Sequence, residues 1–309
     1  MANMYLGVDP MLTNVAVAYQ NSEYIADKIF PMLQVKKQSG KHFVYDKGRF
    51  RINEVLRAVG ANSKEVTLKV TTGTTYFCED HALKQFVADE DRDNAITPTT
   101  PMVDATENAT DMLQVSREYA LASYMANVSN LTNSTTLSGT DQWSDYANSD
   151  PFDDIMTGIE SVHGKIFVKP NTLVLGQQTF NSLKNHPDLL DRVKYSQKGV
   201  ITIDLLKSLF DVEHVLIGGA GYNSATEGQT DDMAYIWGKH AWLLYINPKT
   251  AAKMITFGFA YTWKKIKTER LRGSDEEDRK GTYVRVGDHY YDQQVVTVDA
   301  AYLIADATA

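Results

Sequence analysis

Apolar residues recur at helical spacing over residues 104–128, which predicts a long helix. Asp104 is followed three residues later by Glu107, the spacing of a capping box, so the helix is predicted to begin at Asp104. One face of this helix carries small and apolar side chains and is predicted to be buried. That face consists of Ala109, Met112, Leu113, Ser116, Tyr119, Ala120 and Tyr124.

A second predicted helix has signals at both ends. Asp150 is the predicted N-cap, Pro151 occupies the first helical position, and Gly164 lies just past the predicted end. Residues 127–150, which join the two helices, are mostly polar and contain Trp143. A loop of this length is uncommon inside a compact domain, so we expect a surface excursion or a contact with a neighbour, with Trp143 as its anchor.

The amino-terminal part of the chain has the pattern of an arm followed by a ribbon. Residues 11–30 show weak helical spacing that ends at Pro31, and we interpret them as an arm outside the core. Within residues 33–78, one candidate strand covers 43–45, and a second covers 66–71, where apolar and polar residues alternate. A two-stranded ribbon is marginally stable alone in water, so we expect it to pack outside its own domain.

From residue 165 onward, predicted strands and helices alternate, which indicates a mixed α/β unit. The predicted strands in this unit are 172–175 and 212–217, and the predicted helical segments are 177–193 and 205–210. A hairpin is predicted from 234–237 and 241–246, and further strands from 255–263 and 295–304. The last two strands flank a charged loop over 264–280, and we expect them to pair in one sheet.

Composition and charge narrow the class of protein. The chain has 309 residues, is 43% hydrophobic and 23% charged, and carries a formal net charge of -8, which argues against tight binding of nucleic-acid phosphates. Its single cysteine, Cys78, cannot form an internal disulfide and is interpreted as an inert structural thiol. The amino terminus lacks the pattern of a secretory signal, and the chain is expected to be made in the cytosol.

Candidate chemistry is sparse. The glycines at 218, 219 and 221 follow a predicted strand, but Ser224 stands where a dinucleotide fingerprint has its third glycine. The acidic run 89–93 resembles a calcium loop but lacks that loop's glycine and bidentate glutamate. The seven histidines include no pair four residues apart, and no G-x-S-x-G elbow or P-loop occurs. We predict no enzyme activity and no catalytic, cofactor or metal site.

The linear order of several segments resembles the major capsid proteins of tailed bacteriophages with the Hong Kong ninety-seven fold. The similarity rests on the series Ile25-Ala26-Asp27-Lys28-Ile29-Phe30-Pro31, the run Val35-Lys36-Lys37-Gln38-Ser39-Gly40-Lys41, Tyr45-Asp46-Lys47, the helix near Asp104, Asn171-Thr172-Leu173-Val174-Leu175-Gly176 and the closing strand. No single string is specific, so the weight rests on their order, which spans nearly the whole chain.

This resemblance implies an α+β fold and a division of the chain. Residues 1–32 would be the N-arm, 33–78 the extended E-loop ribbon, and 79–164 the P-domain with its spine helix. Residues 165–255 would form the mixed α/β A-domain, and 256–309 would return as strands to the P-domain. The arm and the ribbon would then be stabilised by crossing to adjacent subunits.

The function implied is that of a major capsid protein, which self-assembles into an icosahedral head shell around a double-stranded DNA genome. Implied partners are further copies of the chain in hexamers and pentamers, a scaffolding protein, a portal protein, a decoration protein and packaged DNA without sequence-specific binding. Two alternatives remain open, an encapsulin-like cargo shell and an α/β hydrolase. Candidate assembly contacts are Lys36, Lys37, Lys41, Arg49, Arg51, Arg57, Trp143, Arg270, Arg272, Glu276 and Glu277.

Overall fold

A computed structural model describes residues 4–19, 21–45, 50–52, 55–57, 59–60, 62–63, 65, 70–96, 99–193, 201–226, 228–249, 255–272 and 279–309. The helices within this part are α1 Pro10–Ala18, α2 Ala26–Ile29, α3 Asp89–Asp93, α4 Pro101–Ala126, α5 Pro151–Ile166, α6 Gln177–Lys184, α7 Pro187–Val193 and α8 Ile203–Phe210. The strands are β1 Met4–Val8, β2 Met32–Gln34, β3 Ser39–Tyr45, β4 Val70–Phe77, β5 Glu79–Ala88, β6 Ser134–Thr136, β7 Thr172–Gly176, β8 His214–Gly218, β9 Gly221–Asn223, β10 Met233–Tyr235, β11 Ala241–Leu244, β12 Gly258–Lys264, β13 Lys267–Arg272, β14 Gly281–Val295 and β15 Ala301–Ala305.

The first sheet is built around β14, which is 15 residues long. Strands β13, β12 and β5 all pair with β14 antiparallel, β1 pairs with β13, and β2 runs parallel to β12. A bulge interrupts the pairing of β14 with β5 between Val286 and His289, where Asp288 adopts a φ of 55°. Helix α4 packs across β5 and β14 and covers one face of this sheet.

The second sheet has the strand order β6-β15-β11-β7-β8. Its central strands β15, β11 and β7 are buried along their whole length, and α5 packs on β15 and β11. Strands β7 and β8 run parallel and are joined through α6, α7 and α8, as parallel strands require a crossover connection. The predicted mixed α/β unit is confirmed.

Two predicted strand pairings are wrong. The segments 234–237 and 241–246 do not form a hairpin, because β10 pairs with β9, whereas β11 pairs with β7 and β15. The strands near 255–263 and 295–304 do not share a sheet, because β12 pairs with β14 and β15 joins the second sheet. The fully buried strands β11 and β15 both take interior positions in the second sheet, whereas β10 is largely exposed and pairs outside that sheet.

The long predicted helix is present as α4, but its start was misplaced and most of its predicted buried face is wrong. The residues of that face that are exposed are Met112, Ser116, Tyr119, Ala120 and Tyr124. Helix α4 begins at Pro101 with Thr100 as its N-cap, so Asp104 and Glu107 lie inside the first turns and do not form the capping box. Proline is well suited to the first helical position, because its missing N–H would be unsatisfied there anyway. The helix ends at Ala126, close to the predicted end.

The predicted start of α5 is confirmed, and its predicted end is wrong. Asp150 Oδ1 accepts hydrogen bonds from the backbone N–H groups of Phe152 and Asp153, both at 3.1 Å. The helix continues through Gly164 to Ile166, which is buried, and ends at Phe167 with a left-handed φ of 55°. Burial of Ile166 keeps the last turn helical despite the low helix propensity of glycine.

Residues 127–150 do not leave the subunit as a surface excursion. Strand β6 lies within them and pairs in parallel with β15, and Leu131, Leu137 and Trp143 are buried in the core. Trp143 is fully buried, and its indole Nε1–H donates to Asp154 Oδ2 at 2.8 Å. Trp143 therefore anchors the loop to its own subunit, which corrects the expected contact with a neighbour.

The predicted ribbon is present as β3 paired with β4. The antiparallel register runs from Ser39 opposite Phe77 to Tyr45 opposite Val70. The expected strand over 43–45 is confirmed as part of β3, whereas most of the alternating segment 66–71 lies outside the described residues. Among the described residues between 50 and 65, Phe50 has 3-10 conformation, Val59 and Gly60 form a turn, and the others belong to no helix or strand.

The amino-terminal residues contact their own subunit. Strand β1 pairs with β13, and α1 packs against α4. Ile25, Ile29 and Phe30 are buried in the main core, so the expectation that this segment lies outside the core is wrong for these residues. Their apolar side chains are stabilised by burial, which explains why the segment folds back in a single chain.

Candidate assembly surfaces

The base of the ribbon is fixed to the first sheet by aromatic stacking. The rings of Tyr76 and Tyr261 are nearly parallel, with centroids 4.5 Å apart. Beside them Cys78 is fully buried, and its Sγ lies 3.3 Å from the backbone oxygen of Tyr261. Burial raises the pKa of the Cys78 thiol, which disfavours the reactive thiolate and agrees with the predicted structural role.

The distal ribbon exposes an unusual run of apolar side chains. Ile52, Val55, Leu56 and Val59 are between 88% and 104% exposed, although these residue types are among those most often buried. Single exposed apolar residues are common, but a cluster of large ones usually marks an interaction site. This part of the subunit is the clearest candidate for a contact with another molecule.

Most of the predicted basic contacts lie along the same ribbon. Lys36, Lys37 and Lys41 are exposed near its base, and Arg51 and Arg57 are exposed among the distal apolar residues. Arg49 lies outside the described residues. The structure therefore places exposed cationic and exposed apolar side chains on the same ribbon segment.

Helix α4 presents a polar stripe to the amino-terminal residues. Asp111 Oδ1 accepts hydrogen bonds from the hydroxyl groups of Tyr19 at 3.0 Å and Tyr24 at 2.7 Å. Burial, followed by the hydrogen bond to Asp111, raises the pKa of both phenols and keeps them protonated donors. One turn further along the helix, Gln114 Nε2 lies 3.5 Å from the backbone oxygen of Tyr19.

The same stripe ends in two adjacent charged residues that hold α2. Glu118 is 1% exposed and accepts the backbone N–H groups of Ile25 at 2.8 Å and Ala26 at 2.9 Å. Arg117 is 7% exposed and forms an ion pair with Asp27 at 2.5 Å. Burial raises the pKa of Glu118, while hydrogen bonds from its donors act in the opposite direction.

The predicted cationic contacts Arg270 and Arg272 are engaged inside the subunit. Arg270 pairs with Asp9 at 3.0 Å, and Arg272 pairs with Asp89 at 3.0 Å. Both arginines lie on β13 and not in a loop, which corrects the predicted loop, and their contact with a neighbour's acidic block stays a prediction. Glu276 and Glu277 lie outside the described residues.

Ser149, His186 and Asp188 are arranged in the order of a hydrolytic triad. Ser149 Oγ lies 3.0 Å from His186 Nε2, and His186 Nδ1 lies 3.8 Å from Asp188 Oδ2. However, Ser149 Oγ donates its proton to the backbone oxygen of Asp145 at 2.7 Å. His186 Nε2 must therefore carry a proton and donate to Ser149, which is the opposite of what a general base requires.

Burial also argues for a structural role of this group. Ser149 and His186 are both buried, and burial lowers the pKa of His186, which keeps the ring neutral. The two side chains join the loop before α5 to the junction of α6 and α7. This geometry gives no support to the hydrolase alternative.

Two further sequence features have plain structural explanations in the described residues. Gly218 ends β8 and Gly221 begins β9, so these glycines belong to a turn between two strands and not to the start of a phosphate-binding helix. Over the part of the chain that the structure describes, no group of three or more His, Cys, Asp or Glu side chains could hold a metal ion. No helix there is long and apolar enough to span a membrane.

Comparison with solved structures defines the class of protein. The chain is similar to the capsid of cyanophage P-SCSP1u, with a TM-score of 0.63 and 10% identity, covering 94% of this chain and 90% of that one. It is also similar to a phage-related protein from Bordetella bronchiseptica RB50, with a TM-score of 0.76 and 27% identity over 99% of both chains. The fold is that of capsid subunits of the Hong Kong ninety-seven type, and the predicted α+β class is confirmed.

Sequence relatives narrow this class to one family. The major capsid protein of Burkholderia phage BcepMu is 33% identical over 303 residues, which cover 96% of both chains. The major capsid protein of Pseudomonas phage JBD67 is 34% identical over 322 aligned positions and the full length of both chains. Residues 130–224 match the family described as phage major capsid protein E. The chain belongs to the phage major capsid protein family and is a shell-forming subunit of the virion.

The polar stripe on α4 was missed by the sequence reading. Asp111, Gln114 and Glu118 recur at spacings of three and four residues, which places them on one helix face. That periodicity predicts that the three polar side chains share one helix face, but such a polar face normally indicates exposure to solvent. What the pattern could not show is that the amino-terminal residues cover this face.

Proposed function

We propose that this subunit builds the icosahedral head shell that encloses a double-stranded DNA phage genome. The observation that supports the contact between subunits is the exposed apolar run of the distal ribbon at Ile52, Val55, Leu56 and Val59. In a single chain these side chains remain in water, so burial against an adjacent subunit would provide a favourable free energy of association.

The parts of the subunit are proposed to have the roles of the family's domains. Residues 1–32 serve as the N-arm, 33–78 as the E-loop, and 79–164 as the P-domain with α4 as its spine helix. Residues 165–255 serve as the A-domain, to which the pairing of β15 adds a strand from the carboxyl-terminal region 256–309. Lys36, Lys37, Lys41, Arg49, Arg51 and Arg57 on the E-loop contact the adjacent subunit.

The partners follow from the same proposal. Copies of the chain form hexamers and pentamers, with a scaffolding protein during assembly and a portal protein at one vertex, and a decoration protein on the outside. The formal charge of -8 favours a shell that surrounds DNA without gripping it. The subunit is made in the host cytoplasm and acts by assembling, without catalysing a reaction.

The test is assembly with a matched pair of variants. The parent chain, produced with its scaffolding protein, is expected to form closed shells in negative-stain microscopy and light scattering. Ile52→Asp combined with Leu56→Asp should leave the subunit folded and prevent assembly. Met233→Asp introduces the same charge at an exposed position of β10 and should assemble normally.

Three outcomes would contradict the proposal. A parent chain that stays monomeric with its scaffold would exclude shell formation by this subunit under those conditions. Assembly of the Ile52 and Leu56 double variant at the parent's rate would exclude the ribbon as the contact. Shells that contain a cargo protein and no genome during infection would favour the encapsulin-like alternative.

A further inference from the structure

A single buried carboxylate joins three parts of the subunit. Glu118 on α4 accepts the backbone N–H groups of Ile25 and Ala26 at the start of α2. Its Oε1 also accepts the indole Nε1–H of Trp237 at 2.7 Å. Trp237 is 1% exposed and lies between β10 and β11, so the carboxylate connects the amino-terminal residues and the spine helix to the second sheet.

The burial of Glu118 makes these contacts interdependent. An ionised carboxylate inside a protein is stable only when its oxygens are satisfied by donors, and removal of a donor leaves an under-compensated charge. Ile25 and Trp237 share the same oxygen, so both contribute to the stabilisation of one charge. Release of α2 would remove two donors at once and leave Trp237 as the remaining one within the described residues.

The glycine turn after β8 provides a second observation at the same place. A side chain at Gly218 would have its Cβ 2.2 Å from Trp237 Cδ1, and a side chain at Gly219 would have its Cβ 2.1 Å from Glu23 Oε2. The turn therefore lies against both Trp237 and the amino-terminal residues. A side chain at Gly218 would collide with the buried Trp237 ring, whereas one at Gly219 would meet the end of the flexible Glu23 side chain, which can move aside.

We propose that Glu118 is a positioning residue that couples docking of residues 21–30 on α4 to the position of Trp237 beside the second sheet. Loss of the amino-terminal contact would thus be transmitted to the A-domain, and a change at Trp237 would loosen the amino-terminal residues. By thermodynamic linkage the coupling has the same size in both directions. The use of this coupling during assembly rests on the proposed function, whereas the coupling itself is a property of the single subunit.

The first test compares two tryptophan variants in the unassembled subunit by amide hydrogen exchange. Trp237→Phe removes the indole donor to Glu118 and should speed exchange at Ile25 and Ala26 by roughly tenfold or more, the typical effect of a hydrogen bond to a charged group. Trp242→Phe is the control, because Trp242 is equally buried, its ring lies 5.4 Å from that of Trp237, and its indole donates to Met125 instead.

The second test is a double-mutant cycle with Glu118→Gln. Once the carboxylate is replaced, Trp237→Phe should cause no further increase in exchange at residues 25 and 26. Additive effects of the two substitutions, or equal effects of the two tryptophan variants, would overturn the coupling. These measurements use free subunits, so they can be made even if shells do not form. Conversely, shell formation does not require the coupling, so the failure of one proposal is distinguishable from the failure of the other.

A reverse measurement covers the case in which Glu118→Gln does not fold. Tyr24→Phe removes the hydroxyl that donates to Asp111 and loosens the amino-terminal residues from the other end. The indole resonance of Trp237 should then shift, while that of Trp242 stays unchanged. An unchanged Trp237 resonance, together with faster exchange at residues 25 and 26, would show that the two regions move independently.

Discussion

At the scale of single residues, His289 links the stability of the first sheet to pH. Its ring lies 4.8 Å from that of Tyr291, and it pairs across the sheet with His81. Burial, followed by the positive charge of Arg117 and the neighbouring His81, lowers the pKa of His289 to about 4. The ordinary value is 6.5, so the neutral ring is favoured in the folded state.

The sign of the pH effect follows from this lowered pKa. The neutral His289 ring contributes to the free energy of unfolding fully above pH 6.5. This contribution is lost as the pH falls toward 4, because the unfolded chain binds the proton at a higher pH than the folded protein does. The loss reaches at most roughly 3 kcal/mol. His289→Asn should show a smaller drop in the free energy of unfolding between pH 7 and pH 4.5, measured by urea denaturation. The exposed His214→Asn is the control, and an equal drop in all three proteins would contradict the assignment.

Trp143 is predicted to matter for folding of the subunit. Trp143→Ala removes a fully buried ring and its hydrogen bond to Asp154, and should cost about 3–5 kcal/mol of unfolding free energy. Trp143→Phe retains most of the packing and should cost less. Guanidinium denaturation of the two variants is the measurement. Near-parent stability of Trp143→Ala would mean that the ring is dispensable in the core.

The difference between Asp150 and Trp143 shows what local sequence can reveal. Asp150 was predicted as an N-cap because its partners are the next few residues along the chain. The backbone N–H of Trp143 bonds to Ala307, and its indole bonds to Asp154, so its surroundings depend on distant segments. A tryptophan in a polar stretch gives no indication of which distant residues will cover it.

At the scale of elements, the ribbon should have graded stability. Its base near Ser39 and Phe77 adjoins the Tyr76–Tyr261 stack, whereas the described residues Ile52, Val55 and Leu56 beyond its distal end are almost fully exposed. Amide exchange in the free subunit should therefore be slower at the base than at the distal end of β3 and β4. In assembled shells both ends should exchange slowly.

The control for the ribbon experiment is β11, which is buried in the core and should exchange slowly in both states. Equal protection of the ribbon in free subunits and shells would show that it packs within its own subunit. The main support for its role in assembly would then be lost.

Helices were predicted more accurately than sheet pairings, for a physical reason. The ends of α4 and α5 are set largely by nearby residues, and the errors at Asp104 and Gly164 amount to a turn or less. Sheet partners are distant in sequence, as β6 and β15 illustrate. Alternation of apolar residues identifies a strand but carries no information on which strand lies beside it.

At the scale of the whole molecule, the acidic residues Glu276 and Glu277 are predicted to contribute to assembly at low salt. Reversal of both to lysine should weaken assembly at low ionic strength and have little effect near 1 M salt, where the Debye length is about 3 Å. Light scattering across salt concentrations is the measurement. Each exposed pair contributes only about 0 to 1 kcal/mol, but the contact repeats over a shell.

The structure changes the expected rescue of this variant. Arg270→Glu and Arg272→Glu would break the ion pairs with Asp9 and Asp89 inside the subunit. They should therefore fail to restore assembly and should lower subunit stability. Restoration by these two substitutions would show that the arginines do face the acidic residues of a neighbour, and parent-like assembly of the reversed variant would show that the acidic residues are simply solvated.

The family was predictable from the whole chain even where individual elements were misplaced. The order of arm, ribbon, long helix, mixed unit and closing strands survives errors of a few residues at each boundary. The path of the amino-terminal residues was not predictable, because Ile25 and Phe30 find their partners in distant parts of the core. Their burial depends on tertiary packing, which cannot be predicted from the local pattern of apolar and polar residues.

The position of β15 in the second sheet has a consequence for synthesis on the ribosome. Strand β15 lies between β6 and β11, so this sheet cannot close until residues 301–305 have left the exit tunnel. Until then, the apolar strand β11 has an unpaired edge, and such edges are prone to pair with other chains. Nascent subunits on neighbouring ribosomes of one messenger are therefore exposed to mispairing from the time that β11 emerges until β15 follows it.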